Sequence, residues 1–285
     1  MAITAFFVVL VTLGVLETLA PAFEGPSSRV NRWPSNFGLM LLDQSIQSAA
    51  PISALWAADW ARDHSVGILN TASVPGWVAA SVTVLVLSLN VYVLHFLFHK
   101  FAFFWRIHRV HHLDTHIDIS TSGRHHPLEA VAGLCGTVPV AVAFGLNSNA
   151  LIVYAVFSAL VGAASHANLR LSHRLDQSLR LVFVTPNMHS IHHSAMQAET
   201  DSNYGDVFTF WDRLFGTYKE VPEARYNAMM IGLEEIRDER TSDFWWQIKS
   251  PIFRSLSMDM KEQQQFAKRD TLVPLLNHHL RILKR

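Results

Sequence analysis

Long apolar runs alternate with polar intervals over the first 165 residues of the chain. Because about 20 apolar residues cross the hydrocarbon core of a bilayer, these runs predict membrane helices over residues 2–20, 37–58, 77–98, 130–145 and 150–165. The run 37–58 is the weakest of them, since Asp43, Gln44, Gln47 and Pro51 interrupt it. The last two runs are the shortest and predict a tight helical hairpin that enters the bilayer from one side.

The rest of the chain is polar. From His166 onward it holds 16 of the 23 Lys and Arg residues and 15 of the 23 Asp and Glu residues. We therefore predict an all-α fold, an integral membrane bundle of four to five helices with a cytosolic helical cap. The pattern divides the chain into an N-terminal transmembrane helix and loop (1–35), a central unit with the other spans (36–240) and a polar or amphipathic C-terminal extension (241–285).

Charge and composition narrow the picture further. Basic residues follow the first, third and fifth runs, whereas the loops on the opposite side hold Arg62 and little else that is basic. Since cytoplasmic loops carry the excess of Lys and Arg, the cap is predicted to face the cytoplasm. The formal net charge of zero gives no reason to expect a nucleic-acid partner. A single cysteine, Cys135, excludes an intrachain disulfide and a thiolate zinc site.

Histidines form the most distinctive polar pattern in the chain. Thirteen of the sixteen lie between His95 and His193. Eight of them form one HxxxH and two HxxHH patterns: His95 and His99; His108, His111 and His112; and His189, His192 and His193. Residues three and four apart share a face of a helix, so each pattern is expected to aim its imidazoles in one direction. This is the spacing of metal ligands.

The number and type of these side chains indicate the chemistry. With the lone His166 they make nine, more than the four to six ligands that a first-row ion usually takes, so two metals are implied. Imidazole suits iron, copper, zinc or nickel rather than magnesium or calcium. Phe96 stands where the zinc-protease pattern HExxH requires Glu. A centre built from histidine alone fits oxygen activation better than hydrolysis.

Three stretches, residues 95–99, 105–112 and 187–194, resemble the histidine boxes of the fatty acid hydroxylase and sterol desaturase superfamily. The stretches 124–129 (RHHPLE), 199–205 (ETDSNYG) and 211–217 (WDRLFGT) are also similar to that superfamily. The resemblance covers roughly residues 30–240.

The resemblance implies a membrane-bound, non-haem di-iron oxidoreductase. Such an enzyme uses O2 and external electrons to hydroxylate or desaturate a C–H bond of a lipid, whether a sterol, a fatty acyl chain or a related molecule. It implies two Fe ions, a separate electron-donor protein of the ferredoxin or cytochrome type with its reductase, and a bacterial inner membrane or endoplasmic reticulum location. The implied iron ligands are His95, His99, His108, His111, His112, His166, His189, His192 and His193.

The chain departs from the superfamily pattern at two positions. Arg170 stands where some members have one more histidine, which makes His126 a possible additional ligand. Asn90 stands where the superfamily commonly has Asp. Further side chains are candidates for supporting the centre, the amides by holding a water on a metal and the carboxylates by orienting imidazoles: Asn168, Asn203, Asp118, Asp201, Glu129 and Asp212.

Two alternatives remain open at this point. A histidine-rich membrane metal or proton transporter would also place ionisable residues in or near spans. The histidines, however, cluster beyond the ends of the spans, and the sequence has no visible inverted repeat. A catalytically inactive, lipid-binding relative would be expected to lack one of the boxes, and all three are intact.

Overall fold

The computed structural model describes residues 2–23, 29–72 and 74–252, with side chains of the first helix from Val8 onward. These residues form α-helices, three short 3-10 helices and no β-strand. The α-helices are α1 Ala2–Leu19, α2 Arg29–Ala49, α3 Ala54–Asp63, α4 Ile68–Thr71, α5 Gly76–Lys100, α6 Ala102–His112, α7 Pro127–Phe144, α8 Ser148–His166, α9 His173–Leu179, α10 Pro186–His192, α11 Gln197–Thr200, α12 Phe210–Phe215, α13 Glu223–Asn227 and α14 Phe244–Lys249. The 3-10 helices are Thr121–Gly123, Glu239–Ser242 and Ser250–Ile252.

Among the residues that the structure describes, three helices, α5, α7 and α8, are long and apolar enough to cross a membrane. At 1.5 Å per residue they are about 37, 27 and 28 Å long, close to the roughly 30 Å of a hydrocarbon core. Large apolar side chains such as Val131 and Val153 point outward and are 44% and 67% exposed. Outward-facing apolar side chains on long helices fit a membrane protein. In the part of α1 whose side chains are described, Val8–Leu19 is apolar but shorter.

The single span predicted over residues 37–58 is wrong. The segment is divided between α2 and α3, because Pro51 lacks the backbone donor that a continuous helix needs and the Ser53 side chain caps α3 by accepting from the Trp56 amide. Helix α2 also buries charged and amide side chains, including Arg32 and Asn36. Both helices pack against α7, so they accompany an apolar span rather than form one.

The predicted hairpin is formed by α7 and α8. Gly145 ends α7 with a φ of 64°, a conformation that glycine adopts readily. A Cβ on this residue would lie 2.6 Å from Asn70 Nδ2, so the close approach also requires glycine. The Asn147 side chain then caps α8 by accepting from the Ala150 amide. The hairpin returns the chain, so that α8 ends beside the start of α7.

The end of α5 lies at this same end of the bundle, where α6 packs against α5 and α10 packs against α8. Helix α1 is fixed here by Glu17, which is buried and accepts from the backbone amides of Ile119 and Asn168. The predicted C-terminal extension (241–285) is described only as far as Ile252. Its apolar and basic run Leu272–Arg285, with His278 and His279, lies outside the described residues.

Candidate metal centre

Nine histidines meet at the end of the bundle where α5 and α8 finish. Helix α5 contributes two from its last turns, α6 contributes three, α8 ends on one, and α10 with the residue after it contributes three. They form two groups, and within each group the candidate ligand nitrogens all lie within 4.8 Å of one another. The five-histidine group is His95, His99, His108, His112 and His192, and the four-histidine group is His111, His166, His189 and His193.

Each HxxHH pattern contributes histidines to both groups, whereas its spacing predicts that its imidazoles all point in one direction. On α6, His108 and His112 lie four apart and share the five-histidine group, whereas His111 belongs to the other group. On α10 the outer pair belongs to the four-histidine group and His192 crosses to the other. A helix turns about 100° per residue, so neighbouring histidines point to different places. The groups are adjacent, with the rings of His112 and His193 stacked 4.5 Å apart.

In the four-histidine group, unprotonated ring nitrogens face one another. His166 Nδ1 lies 2.7 Å from the Gly162 carbonyl and His111 Nδ1 lies 3.3 Å from the Arg124 carbonyl. A carbonyl only accepts, so each Nδ1 carries the proton and each Nε2 presents a lone pair. The Nε2 atoms of His111 and His166 are nevertheless 3.2 Å apart. Two lone pairs at that distance repel, and a cation between them would remove the repulsion.

The five-histidine group has the same orientation. The Nδ1 atoms of His95 and His192 face the carbonyls of Tyr204 and Ser202 at 2.8 and 2.7 Å. His108 Nδ1 lies 2.9 Å from Glu129 Oε1. Buried Nε2 atoms without any hydrogen-bond partner remain on His95, His99, His108, His112 and His192. Buried polar atoms are rarely left unpaired, so these nitrogens have the character of ligand atoms.

Five of the grouped imidazoles outside the apolar spans are held neutral. Burial lowers the pKa of His192 to about 3. Burial, and next the positive charge that neighbouring histidines would carry, also lowers the pKa of His111, His112, His189 and His193 far below the ordinary value. Neutral imidazole is the form that binds a metal.

The two groups fit metal ions. Two ligands bound about 2.1 Å from one ion lie at most about 4.2 Å apart, so each group needs a contraction of only roughly half an ångström. Every donor is an imidazole nitrogen, which suits iron, copper, zinc or nickel and not magnesium or calcium. The geometry thus supports two ions, as the number of histidines predicts.

The possible additional ligand His126 belongs to neither group. Its Nδ1 accepts from the Leu128 amide and caps α7, and its Nε2 lies 3.0 Å from the Ile248 carbonyl. Both ring nitrogens are therefore bonded to the backbone. His126 directly precedes α7, and its capping role occupies the whole side chain.

Of the six candidate supporting residues, Asn168, Asn203 and Asp118 contact no grouped histidine, because their polar atoms are engaged elsewhere. Asn168 bonds the backbone of Ala22 and Phe23, and Asn203 bonds that of Met188 and Lys219. Asp118 pairs with Arg32 at 2.9 Å. A fourth does reach the site: Asp201 Oδ1 lies 3.5 Å from His99 Nδ1. Asn90 donates to Thr137 Oγ1.

Glu129 and Asp212, which the sequence also suggests as supports, and His125, which it does not, help to fix the site. Glu129, considered with several other carboxylates, is the one that orients His108. His125, which has no helical partner in the sequence, stacks on His111 at 4.8 Å. Asp212 accepts from the backbone amides of Tyr204 and Gly205 and so holds the carbonyl that orients His95. Because the remaining acceptors are backbone carbonyls, no side-chain motif could have revealed them.

Arg124 supports the four-histidine group from behind. The side chain is fully buried and donates to the carbonyls of Val110 and Thr241 and to Asn36 Oδ1, at 2.6 to 2.7 Å. These three bonds fix the Arg124 backbone, whose carbonyl faces His111. The basic residue of the RHHPLE stretch is thus a structural support.

A cavity of about 520 Å³ lies beside both groups. Histidines of each group line it, together with small and apolar residues of α5, α7 and α8 such as Val91, Leu94, Ala130, Gly133, Ala159 and Gly162. Its volume falls within the range of about 300–1,000 Å³ that is usual for ligand pockets. The centre therefore has room for an apolar molecule next to the imidazoles.

The family model described as fatty acid hydroxylase matches residues 80–217. The match contains all nine grouped histidines. Just under half of the chain is thus similar to the fatty acid hydroxylase family. This confirms the resemblance that the histidine boxes indicate.

Several curated proteins resemble this chain. Ornithine lipid hydroxylase OlsE of Rhizobium tropici is 29% identical over 145 residues, which are 50% of this chain and 42% of that protein. Alkylglycerol monooxygenase of Caenorhabditis elegans is 29% identical over 184 residues, 61% of this chain and 34% of the relative. The enzyme of the same name from Danio rerio is 25% identical over 211 residues, 73% and 44% of the two chains. The chain thus spans less than half the length of each, and no solved structure matches it.

Proposed function

We propose that the protein is a membrane-bound, O2-dependent lipid hydroxylase with a non-haem di-iron centre. The observation that carries the proposal is the pair of histidine groups with converging, unpartnered nitrogens beside an apolar cavity. The iron ligands would be the five-histidine group at one ion and the four-histidine group at the other. The chemistry that bound iron supplies is activation of O2 for cleavage of an unactivated C–H bond.

The protein's own residues would hold and surround the reacting carbon. Carbonyl and carboxylate acceptors on Nδ1 fix five of the nine rings with Nε2 turned toward the groups, those of His95, His108, His111, His166 and His192. Small residues of α7 and α8, Gly133 and Gly162 among them, leave space for a lipid chain. Since α5, α7 and α8 have apolar outer faces, the lipid would enter the cavity from the bilayer, and the apolar wall would exclude water around it.

The relatives favour hydroxylation over desaturation. OlsE is named for hydroxylation of ornithine lipid and the alkylglycerol monooxygenases for oxygenation of an alkylglycerol. Both names describe insertion of oxygen into a lipid. We therefore propose an oxygenated lipid as the product, with a separate ferredoxin or cytochrome type donor as the source of electrons.

The site is proposed to face the cytoplasm. Arg29 and Lys100 lie at the histidine end of the bundle, whereas Arg62 is at the opposite end, where its partner Asp59 bonds Ser148 at the start of α8. This charge bias fits the excess of basic residues in cytoplasmic loops. A transporter is disfavoured, because the grouped histidines gather at one end of the apolar helices instead of lining a path along them.

The proposal is tested with purified protein in detergent, supplied with reductant, O2 labelled with heavy oxygen and a total lipid extract. We expect about two irons per chain and a lipid that gains one labelled oxygen atom. The variant His166→Ala should yield no such product, and His173→Ala is the matched control because His173 is exposed and outside both groups. Absence of any labelled lipid from iron-loaded wild-type protein would contradict the proposed function.

A further inference from the structure

One carboxyl group in the cavity wall has no role in the histidine groups. Asp206 and Ser158 both line the cavity, and Ser158 Oγ donates to Asp206 Oδ2. Within the described part of the chain, Asp206 Oδ1 has no hydrogen-bond partner and no Lys or Arg pairs with the carboxylate. The group is thus half satisfied and faces the space in which a ligand would lie.

This carboxyl group lies in a wall that is partly apolar. The neighbouring wall is formed by side chains such as Leu94, Ala159 and Ala163, which offer no hydrogen bond. Burial raises the pKa of Asp206 to about 6, so the group is still largely ionised at neutral pH. Asp206 is partly accessible and lines the cavity, so a ligand that brings a donor could reach its carboxylate and complete its hydrogen bonding.

The position of the pair relates it to the histidines. Asp206 follows the Tyr204–Gly205 segment, and the Tyr204 carbonyl lies 2.8 Å from His95 Nδ1. Ser158 lies eight residues before His166 on α8, about 12 Å along the helix axis. A molecule held at the pair would therefore place carbons further along its chain, up to about ten bonds away along α8, next to the histidine-lined part of the cavity.

We propose that Asp206, braced by Ser158, is a specificity-determining acceptor that binds a hydroxyl or amine of the lipid substrate. The bond would set which carbon of the chain faces the histidine groups. This inference rests on the proposed function, because it assumes that the cavity holds the lipid. Lipids without such a donor group would bind weakly.

The test measures binding without turnover. Protein in detergent, without reductant, is titrated with 1-O-hexadecylglycerol and with its 2,3-di-O-methyl ether, which keeps the chain but has no hydroxyl donor. A hydrogen bond to a charged group contributes about 1.5–3 kcal/mol, so the wild type should bind the hydroxyl probe roughly 10- to 100-fold more tightly. Asp206→Leu should abolish this preference while leaving affinity for the ether and the metal content unchanged.

A matched control uses the same pair of residue types outside the cavity. Ser148 donates to Asp59 at the other end of α8, and Asp59→Leu should leave the probe preference intact. Asp206→Asn, which keeps one acceptor oxygen and nearly the same shape, tests the idea if the leucine variant folds poorly. If the natural donor is an amine, Asp206→Asn should reduce the preference for hexadecylamine over hexadecyltrimethylammonium more than the preference for the hydroxyl probe. If the natural donor is a hydroxyl, it should reduce only the preference for the hydroxyl probe.

The inference is wrong if wild-type protein binds the two glycerol probes equally, or if the Asp206 variants weaken both to the same extent, as a purely structural tie between the loop and α8 would. Preference in binding without any oxygenated product would instead leave a lipid-binding site and overturn the proposed function. If both probes were oxygenated with equal KM, the role of Asp206 would be overturned and the proposed function would stand.

Discussion

The five-histidine and four-histidine groups share α6 and α10, but α5 completes the first and α8 the second, and the two groups are supported differently. Two carboxylates serve the larger group, Glu129 on His108 and Asp201 near His99. In the described residues, the Nδ1 partners of the smaller group are only the carbonyls of Gly162 and Arg124. Carboxylate partners raise the basicity of a ligand histidine and offset the charge of the cation.

The difference in support predicts different roles for the ions bound by the two groups. The larger group is expected to hold its ion more tightly and to leave about one coordination position open, whereas four ligands leave about two open positions on an ion that takes six. The smaller group is therefore better suited to accept a further ligand during the reaction, and it is more easily emptied. Variants that remove one contact from each group test the comparison.

Removal of His166 should have the largest effect. It leaves three ligands in the smaller group and deletes the nitrogen that lies 3.2 and 3.0 Å from those of His111 and His189. We expect His166→Ala to lower the metal content from about two ions per chain to about one, with activity reduced roughly a hundredfold or more. Metal analysis and product yield give the result, and unchanged metal content would refute the ligand role.

Removal of His99 should be less damaging to metal content. The larger group keeps four ligands, so His99→Ala should still bind about two ions per chain when metal is supplied in excess, with affinity at that group reduced about 10- to 100-fold. Titration of metal-free protein measures this. Equal metal loss from His99→Ala and His166→Ala would show that the two groups are equivalent.

Glu129→Gln isolates the contribution of the carboxylate. Glutamine keeps an oxygen that accepts from His108 Nδ1, but it removes the negative charge. We expect about tenfold weaker metal binding at the larger group and no change at the smaller one. Release of metal to a chelator should then show one accelerated phase and one unaltered phase, and acceleration of both phases would argue against separate support.

Asp201→Asn should have the smallest effect of the series. Its carboxylate is partly exposed, lies 3.5 Å from His99 Nδ1 and also pairs with Lys100. Solvent screening weakens such contacts, so we expect no more than about a threefold change in metal affinity. Asp63→Asn, at an exposed ion pair with Arg62, is the control, and a loss as large as that of Glu129→Gln would assign Asp201 the dominant role.

Local helical geometry explains what the sequence could predict. Histidines three and four apart on α5, α6 and α10 had to gather, and the apolar runs after Gly76 had to form helices with a turn near Asn147. The division between two groups was not predictable from spacing, because it depends on how the helices are rotated against one another.

Long-range contacts explain what the sequence could not predict. Asp118 is nearer than Glu129 to the second histidine box in the sequence, yet of the two only Glu129 bonds an imidazole, while Asp118 is neutralised by Arg32 from α2. The sequence of α2 resembles an interrupted membrane span because the buried partners of its polar side chains, such as Asp114, lie some 80 residues away. Pairing of buried charges follows from the packed fold and not from local pattern.

The most direct test of the two-group account is anomalous X-ray scattering at the iron edge from crystals of iron-loaded protein. The account predicts two separate peaks of density, one among His95, His99, His108, His112 and His192 and one among His111, His166, His189 and His193. A single peak shared by both sets, or iron bound only outside them, would contradict it.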